Sequence, residues 1–190
     1  MPDKYNYVKG TYEEDRQYAD GYLGEIKRVL SQVAPIFLNF SIADTGKDTK
    51  ESTDYILTLT TNSSDVACRL RRPTKYRDWT VRWHRDSGSE TEESKLRKGF
   101  CRWYLYGWIE GTPPTKANPN RNRVGTAIED WILLDLNLVR TEGALDRGII
   151  RDNYDGTKYR AIRYTELMDC IVAGIINGKA LKPALEISFE

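Results

Sequence analysis

The sequence predicts an α+β fold, and three patterns carry that reading. Apolar residues recur every three or four positions between Tyr12 and Val33, the period of a helix with one buried face. Between Tyr55 and His84 they recur every second position, the period of sheet strands. A short helical stretch then separates those strands from an aromatic one, so a regular βαβ array is excluded.

The first helix is expected over Tyr12–Val33, with Tyr18, Tyr22, Ile26, Val29, Leu30 and Val33 as its stripe. Glu13, Glu14 and Asp15 suit its positive N-terminal end, and Pro35 stops it. Phe37–Ile42 reads as a strand, followed by a polar loop over Asp44–Thr53. Tyr55, Leu57 and Leu59 then alternate with Ile56, Thr58 and Thr60. After a turn at Asn62-Ser63-Ser64, Val66, Cys68 and Leu70 alternate with Ala67, Arg69 and Arg71. Beyond Pro73, Trp79, Val81 and Trp83 alternate with Asp78, Thr80, Arg82 and His84. Ser89-Glu90-Thr91-Glu92 matches a capping box for a helix over Glu90–Lys98 that Gly99 closes. Phe100–Ile109 is aromatic on both faces, as a central strand covered on both sides would be.

A loop is expected over Gly111–Gly125, then an apolar strand over Trp131–Val139 that contains Asp135. Ile149–Arg151 and Tyr159–Ile162 form a hairpin around Asp155-Gly156. Thr165 is expected to cap a last helix running through Ile176, ended by Gly178, and Leu185–Phe189 to add an edge strand. The expected architecture is one domain, with a core over residues 1–110 and an extension over 111–190 packed on it.

Composition bounds the function. The chain has 190 residues, 39% hydrophobic and 30% charged, which suits a globular domain. Its apolar runs fall well short of a membrane span, and its N-terminus is too polar for a secretory signal, so a cytoplasmic location is expected. Three widely spaced cysteines (Cys68, Cys101 and Cys170) argue for a reducing compartment. A single histidine, His84, disfavours zinc, so any metal would be an oxygen-ligated magnesium or manganese. The sequence has no Gly-x-Gly-x-x-Gly or Walker loop.

The net charge is +1, yet Arg69, Arg71, Arg72, Lys75, Arg77, Arg82 and Arg85 crowd one stretch against the single acid Asp78. Beside Trp79 and Trp83, that block can follow a phosphate backbone and offer stacking faces; the alternative is a solvated sheet face. Arg69 and Arg71, two apart on a strand, point the same way. Metal-assisted phosphodiester cleavage would need convergent carboxylates and a nearby cation. Asp54, opening a strand, is one candidate or a turn residue. Glu25, beside the helical stripe, is another, or marks its polar border. Asp78 is a possible substitute ligand. Asp135 would pair with an arginine or act as a ligand. Trp103, Tyr104, Tyr106 and Trp108 would stack on bases or fill the core, and His84 reads as a surface strand residue or a base.

The helix bearing Glu25, the strand opening with Asp54, the strand Val66-Ala67-Cys68-Arg69-Leu70-Arg71, the Ser89–Lys98 helix and the Phe100–Ile109 strand resemble the αβββαβ core of the PD-(D/E)XK nucleases. That superfamily includes restriction endonucleases and Holliday-junction resolvases. The resemblance covers residues 12–110. It implies a restriction-endonuclease-like mixed sheet, with Asp54 as the aspartate opening the second strand and Glu25 as the acid of the first helix. The Glu-x-Lys pair of the third strand would fall on Arg69 and Arg71. Arg71 can supply a cation but not a base, and Arg69 cannot replace a metal-binding glutamate. Migration of the pair to Glu92 and Lys95, which share a helix face, would restore the set; otherwise Glu92 only completes the cap.

Three functions follow as expectations. The first is a magnesium- or manganese-dependent nuclease on DNA, structure- or end-selective, of a phage or mobile element. It would use Asp54, Arg71 and Lys95 in catalysis, Asp54, Glu25 and Glu92 as ligands, and Arg69, Arg72, Lys75, Arg77 and Arg82 on the nucleic acid. The second is a non-catalytic nucleic-acid-binding module on the same scaffold, and the third a phage structural or interaction subunit. A homodimer is compatible with each.

Overall fold

The computed structural model describes residues 18, 20–33, 39–42, 55–58, 63–85, 88–112, 123–153 and 156–181. A seven-stranded sheet forms its centre, in the order β1 (Asn39–Ile42), β2 (Tyr55–Thr58), β3 (Ser63–Arg71), β5 (Trp103–Thr112), β6 (Arg123–Asp135), β9 (Ile171–Ile176) and β10 (Lys179–Ala180). The sheet is mixed: β3 and β5 run parallel, from Val66↔Trp103 to Arg71↔Trp108, and the other pairs are antiparallel. A parallel neighbour requires a crossover, and the connection from β3 to β5 holds β4 (Asp78–His84) and helix α2 (Glu92–Arg97).

β4 does not extend the large sheet. It pairs with β8 (Lys158–Arg163), which pairs in turn with β7 (Ile149–Asp152), giving a separate three-stranded antiparallel sheet. The strand period of Asp78–His84 is therefore as expected, and the strand belongs to the second sheet. Pro73 interrupts the ladder after Arg71, and β5 occupies the side of β3 that faces away from β2.

Helix α1 (Leu23–Val33) lays Tyr22, Ile26, Val29, Leu30 and Val33 on one face of the large sheet, against Val66, Trp103, Leu105, Ile109, Trp131 and Leu133. On the other face, Ala67, Tyr104, Tyr106, Trp108, Ile132 and Leu134 meet Trp79, Val81 and Ile162 of the small sheet, with Leu96 of α2. Trp79 crosses the Tyr104 ring edge-on at 5.5 Å. Both faces of β5 are thus buried, and Trp103, Tyr104, Tyr106 and Trp108 are at most 3% exposed. Base stacking is closed to all four. Gly107 lies between these aromatics because a Cβ there would come within 2.9 Å of Leu70 Cδ2.

Several sequence expectations need correction: Ser63 and Ser64, expected in a turn, begin β3, and the expected loop over Gly111–Gly125 gives up its ends to β5 and β6. Residues 171–176 form a strand, not a helix: Ile-Val-Ala-Gly-Ile-Ile, rich in β-branched residues, lies between β6 and β10. Asn177-Gly178, expected as a helix stop, is the two-residue turn of a hairpin, with φ values of 52° and 70°. Trp131–Val139 is not one strand either, because Asp135 ends β6 and caps helix α3 (Leu136–Thr141) by accepting from the Asn137 N–H at 2.8 Å. Finally, the cap of α2 is Thr91, which accepts from the Ser94 N–H at 3.2 Å, so Glu92 is the first helical residue and not the far partner of Ser89. The strand expected from Phe100 starts at Trp103, after Cys101 at φ 63°. β7 and β8 pair antiparallel as the expected hairpin, and Asp155 lies outside the described residues. Tyr12–Arg16, Pro35, Leu59, Thr60 and Leu185–Phe189 lie outside the described residues.

Two buried carboxylates join elements distant in sequence. Glu93 of α2 accepts from Arg160 of β8 at 2.9 Å and from Arg97 at 2.8 Å. Asp130 of β6 accepts from Arg77 Nε at 2.5 Å and from the Asn177 N–H at 2.7 Å. No helix among the described residues is long and apolar enough to cross a membrane.

Candidate functional site

A polar cleft of about 200 Å³ opens between the two sheets, lined by Arg69, Arg71, Thr80, Arg82, Asn153, Thr157 and Tyr159. The strand period explains its chemistry. On β3, Val66, Cys68 and Leu70 face α1, which leaves Arg69 and Arg71 on the side of the small sheet. On β4, Trp79 and Val81 are buried, and the alternating Thr80 and Arg82 are half-buried and line the cleft. Tyr159 lies opposite Arg82 in the β4–β8 ladder, and Asn153 and Thr157 flank the adjoining turn.

β4 is an edge strand, and its outward backbone groups need partners. Arg71 Nη1 donates to the Asp78 carbonyl at 3.2 Å, Arg69 Nη1 donates to the Thr80 carbonyl at 3.1 Å, and Glu92 Oε2 accepts from the Arg82 N–H at 3.1 Å. Side chains of β3 and α2 thus cover the edge, and the two arginines acquire fixed positions in doing so. Arg69 also forms an ion pair with Glu92 at 2.6 Å. Glu92 Oε1 accepts from the buried Tyr104 hydroxyl. Burial, and then the negative charge of Glu92, push the Tyr104 hydroxyl well above its usual range, so Tyr104 stays a donor. Beneath the cleft, Tyr106 Oη and Thr80 Oγ1 share a hydrogen bond at 2.7 Å.

Of the sequence candidates, the cleft gathers Arg69, Arg71 and Arg82, with Glu92 behind them. Arg77 is committed elsewhere, held by Asp130, by the Thr74 carbonyl at 2.5 Å and by Glu129 at 3.3 Å. Arg72 is exposed over the Tyr18 ring at 5.0 Å, and Lys75 sits 5.3 Å from the exposed Tyr76 ring. Neither lines the cleft, and nor does Lys95. Lys98, and more distantly Lys95, hold the Glu90 carboxyl below its usual range. Asp78 contributes its carbonyl through Arg71, and His84 is exposed. Asp135 serves as a helix cap, with Arg102 at 3.9 Å. Asp54 lies outside the described residues.

Glu25 and Glu92 do not meet. Glu25 is on α1, against one face of the large sheet, and Glu92 packs with Tyr104 on the other. Glu25 accepts from Arg28 at 2.8 Å and 3.0 Å and from the Ile128 N–H at 3.1 Å, where β6 shifts register. Both Glu92 oxygens are likewise engaged. These carboxylates do not fit a shared divalent ion, and among the described residues no group of three or more His, Cys, Asp or Glu is placed to hold one. Asn153, Thr157 and Tyr159 were not legible as site residues. They sit in an ordinary hairpin, and only the β4–β8 register brings them to the arginines.

The Arg28 guanidinium, opposed by partial burial and helped by the Ile128 N–H, holds the Glu25 carboxyl below its usual range. A depressed folded value stabilises fully above the unfolded value of about 4.3 and is lost as pH falls through the folded one. Glu25→Gln should therefore lose stability near neutrality and flatten the acid limb of the stability profile below about pH 4.3, measured by urea denaturation across pH.

Comparisons of the chain with protein-family models, with curated proteins and with solved structures found no match.

Proposed function

We propose that this domain binds nucleic acid through its phosphates, with the arginine-lined cleft as the contact surface. One observation carries the reading: Arg69, Arg71 and Arg82 converge from two sheets on one polar pocket, where Glu92 pairs with Arg69 and accepts from the Arg82 N–H. Arginine presents a planar fork of donors suited to phosphate oxygens. Arg71 uses one of those donors on the Asp78 carbonyl and directs its charge into the cleft. The departure of Arg69 from the nuclease pattern then has a physical sense: a cation stands where a metal ligand would, and Glu92 positions it.

Fluorescence anisotropy with labelled DNA and RNA at increasing salt tests this. Binding should weaken steeply with salt, and Arg71→Ala and Arg82→Ala should each reduce the slope of log K against log salt by about one. Binding insensitive to salt, or absent at low salt, overturns the proposal.

A metal-dependent DNA nuclease with a restriction-endonuclease-like core is the second reading, favoured by the order of α1, β1, β2, β3, α2 and β5, with β4 inserted between β3 and α2, and by the mixed sheet that these strands other than β4 join. Its carboxylates would have to include Asp54. Under the binding reading, DNA incubated with magnesium or manganese stays intact. Cleavage that Asp54→Ala abolishes would instead establish the nuclease.

A further inference from the structure

We infer that the ligand is a single strand and that Trp83 stacks on one of its bases beside the arginine cleft; the inference rests on the binding function proposed above. Strict alternation along β4 would bury Trp83 with Trp79 and Val81, which are 0% exposed. The β4–β8 ladder instead shifts register between Arg82 and His84. Arg82 pairs with Tyr159 and His84 with the next residue, Lys158, which leaves Trp83 as the extra residue of a β-bulge. A bulge re-aims the side chain it carries. The Trp83 indole is 39% exposed, whereas the other four of the five tryptophans are at most 3% exposed.

Position decides what that ring can meet. Trp83 directly follows Arg82, and Tyr159, the ladder partner of Arg82, lines the same cleft. Consecutive Cα atoms lie about 3.8 Å apart, and a stacked strand advances about 3.4 Å per nucleotide. A strand whose phosphate meets Arg82 therefore brings its neighbouring bases within reach of the indole. The exposed His84 ring, 6.0 Å from the indole and tilted by 44°, enlarges the aromatic surface. Indole stacks on any base, but the bases of a duplex are already stacked on their neighbours, so the arrangement selects a single strand and reads no sequence. Tyr76, also exposed in the basic run, lies before β4 with Lys75 over its ring at 5.3 Å, and it does not line the cleft.

The test titrates the intact chain with a single-stranded DNA, a single-stranded RNA and a duplex of one sequence, and with a DNA strand of equal length made of abasic sites. Affinity is read from the anisotropy of a terminal label. Acrylamide quenching of tryptophan emission reports on Trp83, the one accessible indole. A single strand, DNA or RNA, should quench the emission and shield it from acrylamide, while the duplex and the abasic strand bind without shielding it. The base-bearing strand should bind about ten-fold tighter than the abasic one. Trp83→Ala should abolish that advantage, leave affinity for the abasic strand and the salt slope unchanged, and keep a native circular dichroism spectrum; Trp83→Phe should restore most of the advantage. Equal affinity for the two strands, or an advantage that survives Trp83→Ala, overturns the inference and leaves phosphate binding standing. A duplex that shields Trp83 as well as a single strand does also overturns it. No binding of any of the four ligands overturns both.

Discussion

Glu93→Ala should lower the free energy of unfolding by about 3–5 kcal/mol, seen as a fall in the urea midpoint at an unchanged m-value. Glu93 is 4% exposed and lies between two guanidiniums. Arg160 donates from Nε and Nη2 at 2.9 Å and 3.3 Å, and Arg97 from Nε and Nη2 at 3.0 Å and 2.8 Å. Arg160 also reaches the Gly148 carbonyl at 3.2 Å, so the glutamate ties α2 to the small sheet. Removing it leaves the well-buried Arg160 charge without its carboxylate, and that orphaned charge is the main source of the loss. Glu93→Met combined with Arg160→Met should cost much less, because an apolar pair of similar volume replaces a desolvated ion pair. A loss below about 1 kcal/mol, typical of an exposed pair, would mean that the site is wet and the junction between α2 and β8 loose.

Asp130→Ala should be comparably damaging, about 3–5 kcal/mol on the same measurement. Asp130 is 1% exposed and serves two segments, the Arg77 side chain before β4 and the Asn177 N–H in the β9–β10 turn. Truncation strands a guanidinium over Trp108 and an unpaired backbone donor. Asp130→Asn keeps an acceptor for Asn177 but loses the charge, so its effect should be intermediate. The same geometry separates Arg77 from its neighbours in the basic run. Arg77→Ala should change the unfolding midpoint and leave the salt slope of binding alone, the converse of Arg82→Ala.

The fold was legible where side-chain period and burial coincide. The stripe Ile26, Val29, Leu30 and Val33, the alternation of β3 and the doubly buried β5 all follow from the 3.6- and 2-residue repeats. It was illegible where period alone cannot choose. The alternation of β4 is the same in either sheet, and only the competition of β5 for the flank of β3 sends β4 to pair with β8. Ile171–Ile176 is apolar throughout, so it fits a buried strand or a buried helix; the Asn177-Gly178 turn was the deciding signal. Asp135 interrupts an apolar run, which suggested a costly buried charge, yet Asp-Leu-Asn is also a cap and starts α3.

The candidate site was half legible for a related reason. The arginine stripe on β3 is fixed by strand geometry, and Arg82 by the parity of Trp79 and Val81. Which basic residues are spent on structure is a tertiary fact, decided for Arg77 by Asp130, 53 positions away. Glu92 has the chemistry of a metal ligand, but its oxygens are occupied by Arg69, the Arg82 N–H and Tyr104. Glu93, its neighbour and the stronger structural residue, has no sequence signal of its own.

The most direct test is an NMR titration that follows the arginine Nε–Hε resonances as unlabelled nucleic acid is added. The resonances of Arg71 and Arg82 should move together, with Arg69 following, while Arg77, locked on Asp130, stays in place. Movement confined to the exposed Arg72, with Arg71 and Arg82 unmoved, would contradict the assignment of the cleft as the place where phosphate is bound.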